Sequence, residues 1–336
     1  MTNSYTRRNF QTPDKYANEY LQHASGLKLS PNSTATYRSH LRCYVMFLHD
    51  RGISVLDATF TDVLEFVEEC VRRGNRQSTI EGKLATVSEL YKYIRLRTEV
   101  GDKLALEPLR LDDIDVCRYQ TPHPIKREAL SREELRRLFD AFDSYRNRLM
   151  AIVAVDTGLR NSDLRALRIE DLNFERLEIH VPDPKGSKPY DVPMNEGLAY
   201  ELEFWLRHHR VGYANADESP YVFPSQRSAK LESNGSFNRI VREAAEKAGL
   251  QEVVAESRVV RAEDSVVALE GKMRQWYRVT PHTLRHSFIT LLADSGVDIS
   301  YRQLVANHAS AQTTRRYTHT VEDPFSTIRD KFSPPR

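Results

Sequence analysis

The sequence predicts a mainly α-helical protein of two domains, with a small β-sheet in the second domain. Its 336 residues are about twice the usual domain length of about 150 residues. Apolar residues recur at spacings of three and four through most of the chain, which is typical of amphipathic helices. Strict alternation of apolar and polar residues occurs near residues 174–192, and this pattern indicates a pair of strands.

The first third of the chain carries the spacing of a small helical bundle, predicted over residues 12–105. Ser30 followed by Pro31 indicates a helix start, because serine caps free backbone N–H groups and proline suits the first helical position. That helix is predicted to end near Gly52. The other predicted helices of this domain begin near residue 13, Thr61 and Ser78.

Residues 106–127 are predicted to link the two domains. Pro108, Pro122 and Pro124 each remove a backbone donor and favour extended geometry in the preceding residue. The helical spacing therefore stops here. It resumes in the second domain, which is predicted over residues 128–333.

The second domain begins with a clear helix signal and contains the predicted hairpin. Ser131 and Glu134 have the spacing of a capping box. Residues 251–279 show no clear period and receive no assignment, although an inserted hairpin or a partner-contact element is compatible with their length. The residues that define the hairpin are Leu177, Ile179 and Val181, the turn 184–187, and Tyr190 and Val192.

The composition excludes several classes of protein. The three cysteines, Cys43, Cys70 and Cys117, are too few and too far apart for a disulfide framework or a paired-cysteine metal site. The chain has no run of about 18 apolar residues and no signal-peptide core at its start. We therefore expect a cytoplasmic protein that does not enter a membrane.

The formal net charge is only +2, but the charge is unevenly distributed. Basic residues dominate 72–97 and 271–319, whereas acidic residues dominate 99–115. Two basic patches suit a protein that grips a polyanion with particular faces. Solvated helix faces explain the same pattern equally well. The helix predicted to begin near Ser78 would lie along a phosphate backbone while its other face packs inward, because basic residues surround its apolar stripe: Arg76, Lys83, Lys92, Arg95 and Arg97.

The segment from Thr157 to Leu164 is the first of three that carry chemistry. A helix ends at Gly158, and a new helix, predicted to be capped by Ser162, begins just after Arg160. Arg160 is thus placed beside a helix N-terminus, where free N–H groups already favour an anion. A surface arginine in a helix–turn–helix connection is the alternative interpretation.

The second segment opens a helix at Pro281. His282 and Arg285 are three residues apart and share a face at the helix start. His286 is four residues from His282, which resembles the spacing of a metal-ligand pair. A metal site is nevertheless not expected, because the sequence lacks the HExxH glutamate and an arginine between the histidines repels a cation.

The third segment covers residues 307–319 and contains His308 and Tyr317. Together the three segments and the hairpin turn supply two arginines, two histidines, a tyrosine and a lysine, without an acidic cluster for Mg²⁺. This set suits metal-free phosphoryl transfer, in which guanidinium groups neutralise phosphate oxygens and a hydroxyl attacks phosphorus. DNA cleavage through a phosphotyrosine is the natural inference.

These three segments, in this order, resemble the tyrosine recombinase family, also called phage integrases. The resemblance rests on Thr157 to Arg160, on His282 with Arg285 and His286, and on His308 nine residues before Tyr317. It covers roughly residues 127–325. It implies an α+β catalytic domain, preceded by an all-α, SAM-like core-binding domain.

The resemblance also implies a role for each matching residue. Arg160 and Arg285 would clamp the scissile phosphate, and His308 would donate a further hydrogen bond to it. Tyr317 would be the nucleophile. His282 would either accept the proton of the tyrosine or orient the phosphate. Asp163 would support the site rather than react.

The general acid of the family is a lysine in the hairpin turn. Lys185 matches this position, and Lys188 is the second choice. Pro184 stands where the family usually has glycine, and Asn307 replaces the glycine before the last histidine. Neither departure removes a catalytic side chain.

The resemblance implies a site-specific DNA recombinase that integrates or excises DNA through a 3′-phosphotyrosine, without metal or cofactor. Double-stranded DNA is the expected partner, bound by a homotetramer with accessory bending or directionality factors. Val321–Phe332 is a candidate segment for docking on a neighbouring protomer. The alternatives are a dimer resolvase, a type IB topoisomerase and a DNA-binding clamp without catalysis. We expect the protein in the cytoplasm, on the nucleoid when DNA is bound.

Overall fold

The structure is a computed structural model that describes residues 12, 14–26, 31–123, 128–182, 184, 188–259, 272–298 and 302. The chain divides into two compact units, one made of Met1–Ile125 and Ala255–Gln275, the other of Lys126–Val254 and Trp276–Arg336. The described residues are mainly helical with small sheets. The predicted fold class is thus confirmed.

The first unit is a helical bundle. Its core includes paired tyrosines: the hydroxyl groups of Tyr44 and Tyr91 lie 2.7 Å apart, and that of Tyr91 donates to the carbonyl of Val55 at 3.0 Å. These bonds satisfy polar groups that burial would otherwise leave unpaired. The helices are α1 (Lys15–Gly26), α2 (Pro31–His49), α3 (Phe60–Arg72) and α4 (Gln77–Arg97).

Two helix starts differ slightly from the prediction. The predicted start of the third helix is Thr61, but α3 is capped by Thr59. The side chain of Thr59 accepts from the backbone N–H of Asp62, and the carboxylate of Asp62 accepts from the backbone of Thr59, which completes a capping box. The N-cap of α4 is Arg76 rather than Ser78.

The basic residues of α4 do not all face outward. Lys83 is buried, and its ammonium donates to the side-chain oxygen of Asn75 at 2.6 Å. Lys83 is therefore not among the cations that this helix could offer to a phosphate backbone, because its side chain is bound inside the bundle. Arg95 is half-exposed and pairs with Glu107 at 3.0 Å.

The predicted linker contains residues that pack in the first core. Leu106, Leu111 and Val116 are buried there, and Pro108–Asp113 forms a short 3₁₀ turn. Apolar side chains at these positions give the segment a reason to fold onto the bundle. The domain boundaries themselves stay a prediction.

The second unit surrounds a central helix, α6 (Tyr145–Thr157), in which every residue from Leu149 onward is buried. As predicted, α5 (Arg132–Asp140) begins with a capping box between Ser131 and Glu134. The remaining helices are α7 (Asn161–Ala166), α8 (Glu196–Phe204), α9 (Asn234–Lys247) and α10 (Pro281–Asp294).

The predicted hairpin is part of a three-stranded antiparallel sheet in the order β1-β2-β3. Its register pairs Ile179 with Val192 and His180 with Asp191. Ile179 and Val192 are buried in the core of the unit, which fixes the face that the hairpin presents inward. The strands are β1 (Leu172–Asn173), β2 (Glu178–Val181) and β3 (Tyr190–Pro193).

The segment without a clear period forms two further strands, β4 (Val253–Val259) and β5 (Lys272–Tyr277), which pair in a separate sheet. The described parts of the unassigned region therefore form a strand pair, which fits the expected hairpin and leaves a partner-contact role untested. Over the described ranges, no helix has the length and apolar character needed to cross a membrane.

Candidate active site

The candidate site is built on the tight turn between α6 and α7. Gly158 has φ 65° and ψ 18° and ends α6 by donating its N–H to the carbonyl of Ala154 at 3.1 Å. This left-handed conformation favours glycine. Arg160 is itself the N-cap residue of α7, so the prediction of Ser162 as the cap is wrong. The Ser162 hydroxyl instead donates to Asp163 at 3.0 Å.

Arg160 forms an ion pair with the carboxylate of Asp163. Arg160 Nη1 lies 3.8 Å from Asp163 Oδ2, and the side chain of Asp163 is only 4% exposed. Burial raises the pKa of Asp163, and the Ser162 hydroxyl and the positive charge of Arg160 partly oppose that effect. Asp163 therefore has the expected supporting position, and Arg160 keeps a partly exposed guanidinium.

The second arginine reaches the same turn from α10. Thr280 caps this helix in a capping box with Thr283, and Arg285 lies one turn further along. Its guanidinium is buried and donates to the carbonyl of Gly158. Burial, and then the like charge of Arg160, lower the pKa of Arg285. An arginine guanidinium is effectively always protonated in proteins, so Arg285 supplies a positive charge at the turn.

Helix α10 is fixed against the start of the second unit by a buried serine. The hydroxyl of Ser287 accepts from the backbone N–H of Leu130 at 2.8 Å and donates to the carbonyl of Thr283 at 2.9 Å. Ser287 is fully buried. The bond from Leu130 ties α10 to the start of the second unit, whereas the bond to Thr283 lies within the helix.

Tyr190 is a site residue whose sequence pattern predicts only a place in a strand. Its side chain lies against both Asp163 and Arg285, so the strand that follows the lysine turn contacts the arginine cluster. The available signal is its position on β3, two residues after Lys188.

The structure places some of the predicted catalytic residues and not others. It brings Arg160 and Arg285 to one turn, and His282 is exposed in the first turn of α10. Lys188 is exposed beside the hairpin turn. Lys185, His308, Tyr317 and the proposed docking segment Val321–Phe332 lie outside the described residues.

His286 has an ordinary structural role. It is exposed on α10, and its Nδ1 lies 3.2 Å from the hydroxyl of Thr290 on the same helix. Among the residues that the structure describes, no group of three or more His, Cys, Asp or Glu side chains is arranged to hold a metal ion.

Comparison with known proteins relates both units to the family that the sequence motifs resemble. The chain matches the model of the Phage integrase family over residues 128–323. It matches the model of the Phage integrase, N-terminal SAM-like domain over residues 17–98. Tyrosine recombinase XerA of Pyrococcus furiosus is 30% identical over 288 residues, which cover 84% of this chain and 84% of the relative. Tyrosine recombinase XerD of Haemophilus influenzae is 24% identical over 333 residues, which cover 97% of this chain and 99% of the relative.

A solved structure of a lambda integrase tetramer bound to a Holliday junction has the same fold. It aligns with a TM-score of 0.61 at 15% identity and covers 88% of this chain and 77% of that chain. The catalytic-domain match alone spans more than half of the sequence. The resemblance read from the sequence is thus confirmed, and the chain belongs to the phage integrase family, the tyrosine recombinases, which are enzymes that break and rejoin DNA.

Proposed function

We propose that this enzyme performs site-specific recombination, integrating or excising DNA, and that Tyr317 is its nucleophile. The observation that carries the proposal is the pair of guanidinium groups at the Gly158 turn. Arg285 is buried and donates to the carbonyl of Gly158. Arg160 lies two residues after Gly158 and forms an ion pair with the carboxylate of Asp163. Two fixed cations beside one turn suit a single phosphate.

Each step of the reaction that we propose forms one phosphorus–oxygen bond and breaks another. The Tyr317 oxygen attacks phosphorus while the 5′ oxygen leaves, which gives a 3′-phosphotyrosine and a free 5′-hydroxyl. Lys185 protonates the leaving oxygen, and Lys188 is the alternative donor. His282 accepts the tyrosine proton or orients the phosphate. Attack by a 5′-hydroxyl of the partner strand reverses the step, so bond energy is conserved and no ATP is consumed.

The arginines contribute by stabilising the charge that develops on the phosphate oxygens. Because Arg285 is buried and already hydrogen-bonded, its orientation is set before DNA arrives and little reorganisation accompanies the reaction. His308 would add a further donor to the same phosphate. The cationic pair also performs the neutralisation that a bound Mg²⁺ would otherwise supply.

The proposed partner is double-stranded DNA, held by a DNA-bound homotetramer. The support is the fold shared with a lambda integrase tetramer that binds a Holliday junction, together with two relatives called tyrosine recombinases. We assign residues 12–105 to core binding, 106–127 to the connection and 128–333 to catalysis. Val321–Phe332 is the proposed docking segment between protomers. We place the protein in the cytoplasm, on the nucleoid when DNA is bound, and allow for accessory bending or directionality factors.

A nicked DNA substrate tests the reaction. A nick near the cleavage point releases the 5′ end and prevents rejoining, so covalent protein–DNA adducts accumulate. DNA from the organism that encodes the protein is nicked at random, so that every sequence in it carries such nicks. The target sequence therefore does not have to be chosen beforehand. We expect adducts at one or a few sequences, in equal yield with Mg²⁺ and with EDTA. Loss of the adducts on chelation would contradict the metal-free reaction, and adducts scattered over all sequences would indicate a topoisomerase-like activity.

A further inference from the structure

A buried arginine lies on the short helix that Arg160 begins. Arg165 is 9% exposed, near the end of α7. Its Nε donates to the side-chain oxygen of Asn161 at 3.0 Å. Its two terminal nitrogens donate to the carbonyl of Leu231 and to the side-chain oxygen of Asn234, each at 2.5 Å. One guanidinium therefore connects both ends of α7 to the segment that opens α9.

All three acceptors of the charged Arg165 guanidinium are neutral amide oxygens, so no carboxylate is hydrogen-bonded to it in these contacts. Burial lowers the pKa of Arg165, and the charge of Glu232 partly opposes that effect. A buried cation is costly unless its donors are satisfied in good geometry. The side-chain nitrogen of Asn161 also donates to the backbone carbonyl of Asn234 at 3.2 Å. Two side chains of α7, those of Asn161 and Arg165, therefore bind the first residue of α9.

Helix α7 needs such support because it is short. Its six residues are far below the length at which a helix is stable by itself. Asn161, the first residue of α7, directly follows Arg160. Any shift at Asn161 therefore moves the backbone from which the Arg160 side chain reaches toward the phosphate.

We propose that Arg165 is a positioning residue that fixes Arg160 in its catalytic orientation. This inference rests on the proposed function of Arg160. Arg165 itself is enclosed by protein oxygens, so it contributes through the placement of α7 and not by touching DNA. Its loss should reduce the rate of the chemical step while DNA affinity is retained, because misplacing a catalytic group by about 1 Å costs up to about a hundredfold in rate.

The chain offers a matched control in Arg210. This arginine is also buried in the second unit, at 7% exposure, and it also donates to neutral backbone oxygens, including those of Ala216 at 2.9 Å and Tyr221 at 3.1 Å. Its partners lie outside α7. The substitution Arg210→Met therefore also removes a buried guanidinium that donates to backbone carbonyls, but it breaks no direct bond to α7.

The experiment measures single-turnover adduct formation on the nicked substrate, at saturating DNA, together with the Kd for the same DNA. We expect Arg165→Met to cleave about tenfold or more slowly than Arg210→Met, with the Kd of both within about twofold of the wild type. Equal rates for the two variants would overturn the inference. A wild-type protein that forms no adduct would instead contradict the proposed function.

A second variant keeps the test valid if Arg165→Met does not fold. Asn234 is exposed, so Asn234→Ala removes one acceptor of Arg165 at little cost to the core. We expect a reduction in cleavage rate of about fivefold, the equivalent of one lost hydrogen bond, at unchanged Kd. A wild-type rate would overturn the inference.

A double-mutant cycle separates positioning from a general structural effect. If Arg165 acts through Arg160, adding Arg165→Met to Arg160→Lys slows cleavage much less than Arg165→Met alone does. Fully additive effects of the two substitutions on the rate would show that Arg165 acts independently of Arg160, and would overturn the inference.

Discussion

Replacing Arg285 with methionine lowers the rate of DNA cleavage by about 10²- to 10³-fold at saturating DNA, the usual cost of losing one preorganised donor to a developing charge. Methionine preserves an unbranched apolar stem but removes the cation and its bond to the carbonyl of Gly158. Because phosphate contacts elsewhere supply most of the affinity for DNA, the Kd changes little.

The measurement is single-turnover cleavage of a nicked site, with the Kd determined separately. His286→Ala is the control on the same helix, since His286 is exposed and interacts with Thr290. We expect this control to cleave within about threefold of the wild type, as an exposed substitution should. If Arg285→Met cleaved as fast as His286→Ala, Arg285 would not belong to the phosphate clamp.

Replacing Gly158 with alanine lowers the free energy of unfolding of the second unit by about 3 kcal/mol or more. Two effects add. The φ of 65° is a left-handed conformation that alanine adopts with strain. An added Cβ would also overlap Cδ1 of Phe288, whose ring is buried in the core. Both effects act at the turn that holds the two arginines, so cleavage should decline together with stability.

Gly296→Ala separates strain from the clash. Gly296 follows the end of α10 with φ 73°, and a Cβ there would meet nothing within 4 Å. We expect this variant to lose only about 1 kcal/mol, the cost of left-handed backbone for a residue other than glycine. Chemical denaturation of both variants gives the comparison. Equal losses would show that Phe288 moves aside without cost, contrary to the packing described for the turn.

The parts of the fold that can be predicted are those set by local sequence. Ser131 with Glu134 predicts a helix start because a capping box needs only four residues. The alternation around Ile179 and Val192 likewise predicts the hairpin, and Gly158 predicts the end of a helix. The predicted pair Arg160 and Arg285 comes from motif resemblance, and the structure brings both to the Gly158 turn.

The parts that cannot be predicted depend on contacts between distant segments. Lys83 has the pattern of a surface cation, yet Asn75 binds it inside the bundle. Arg165 carries no signal of its own, because its acceptors at Leu231 and Asn234 lie more than sixty residues away in the chain. Tyr190 fits a strand pattern that says nothing of its contact with Asp163. Local spacing cannot report such contacts.

The role of Tyr317 as nucleophile is tested directly by identifying the residue that becomes attached to DNA. Adducts formed on nicked DNA are digested with protease and nuclease, and the nucleotide-bearing peptide is sequenced by mass spectrometry. We expect a nucleotide linked through its 3′-phosphate to Tyr317. We also expect Tyr317→Phe to form no adduct while it binds DNA with nearly unchanged affinity. Attachment at another residue, or normal cleavage by Tyr317→Phe, would show that Tyr317 is not the nucleophile.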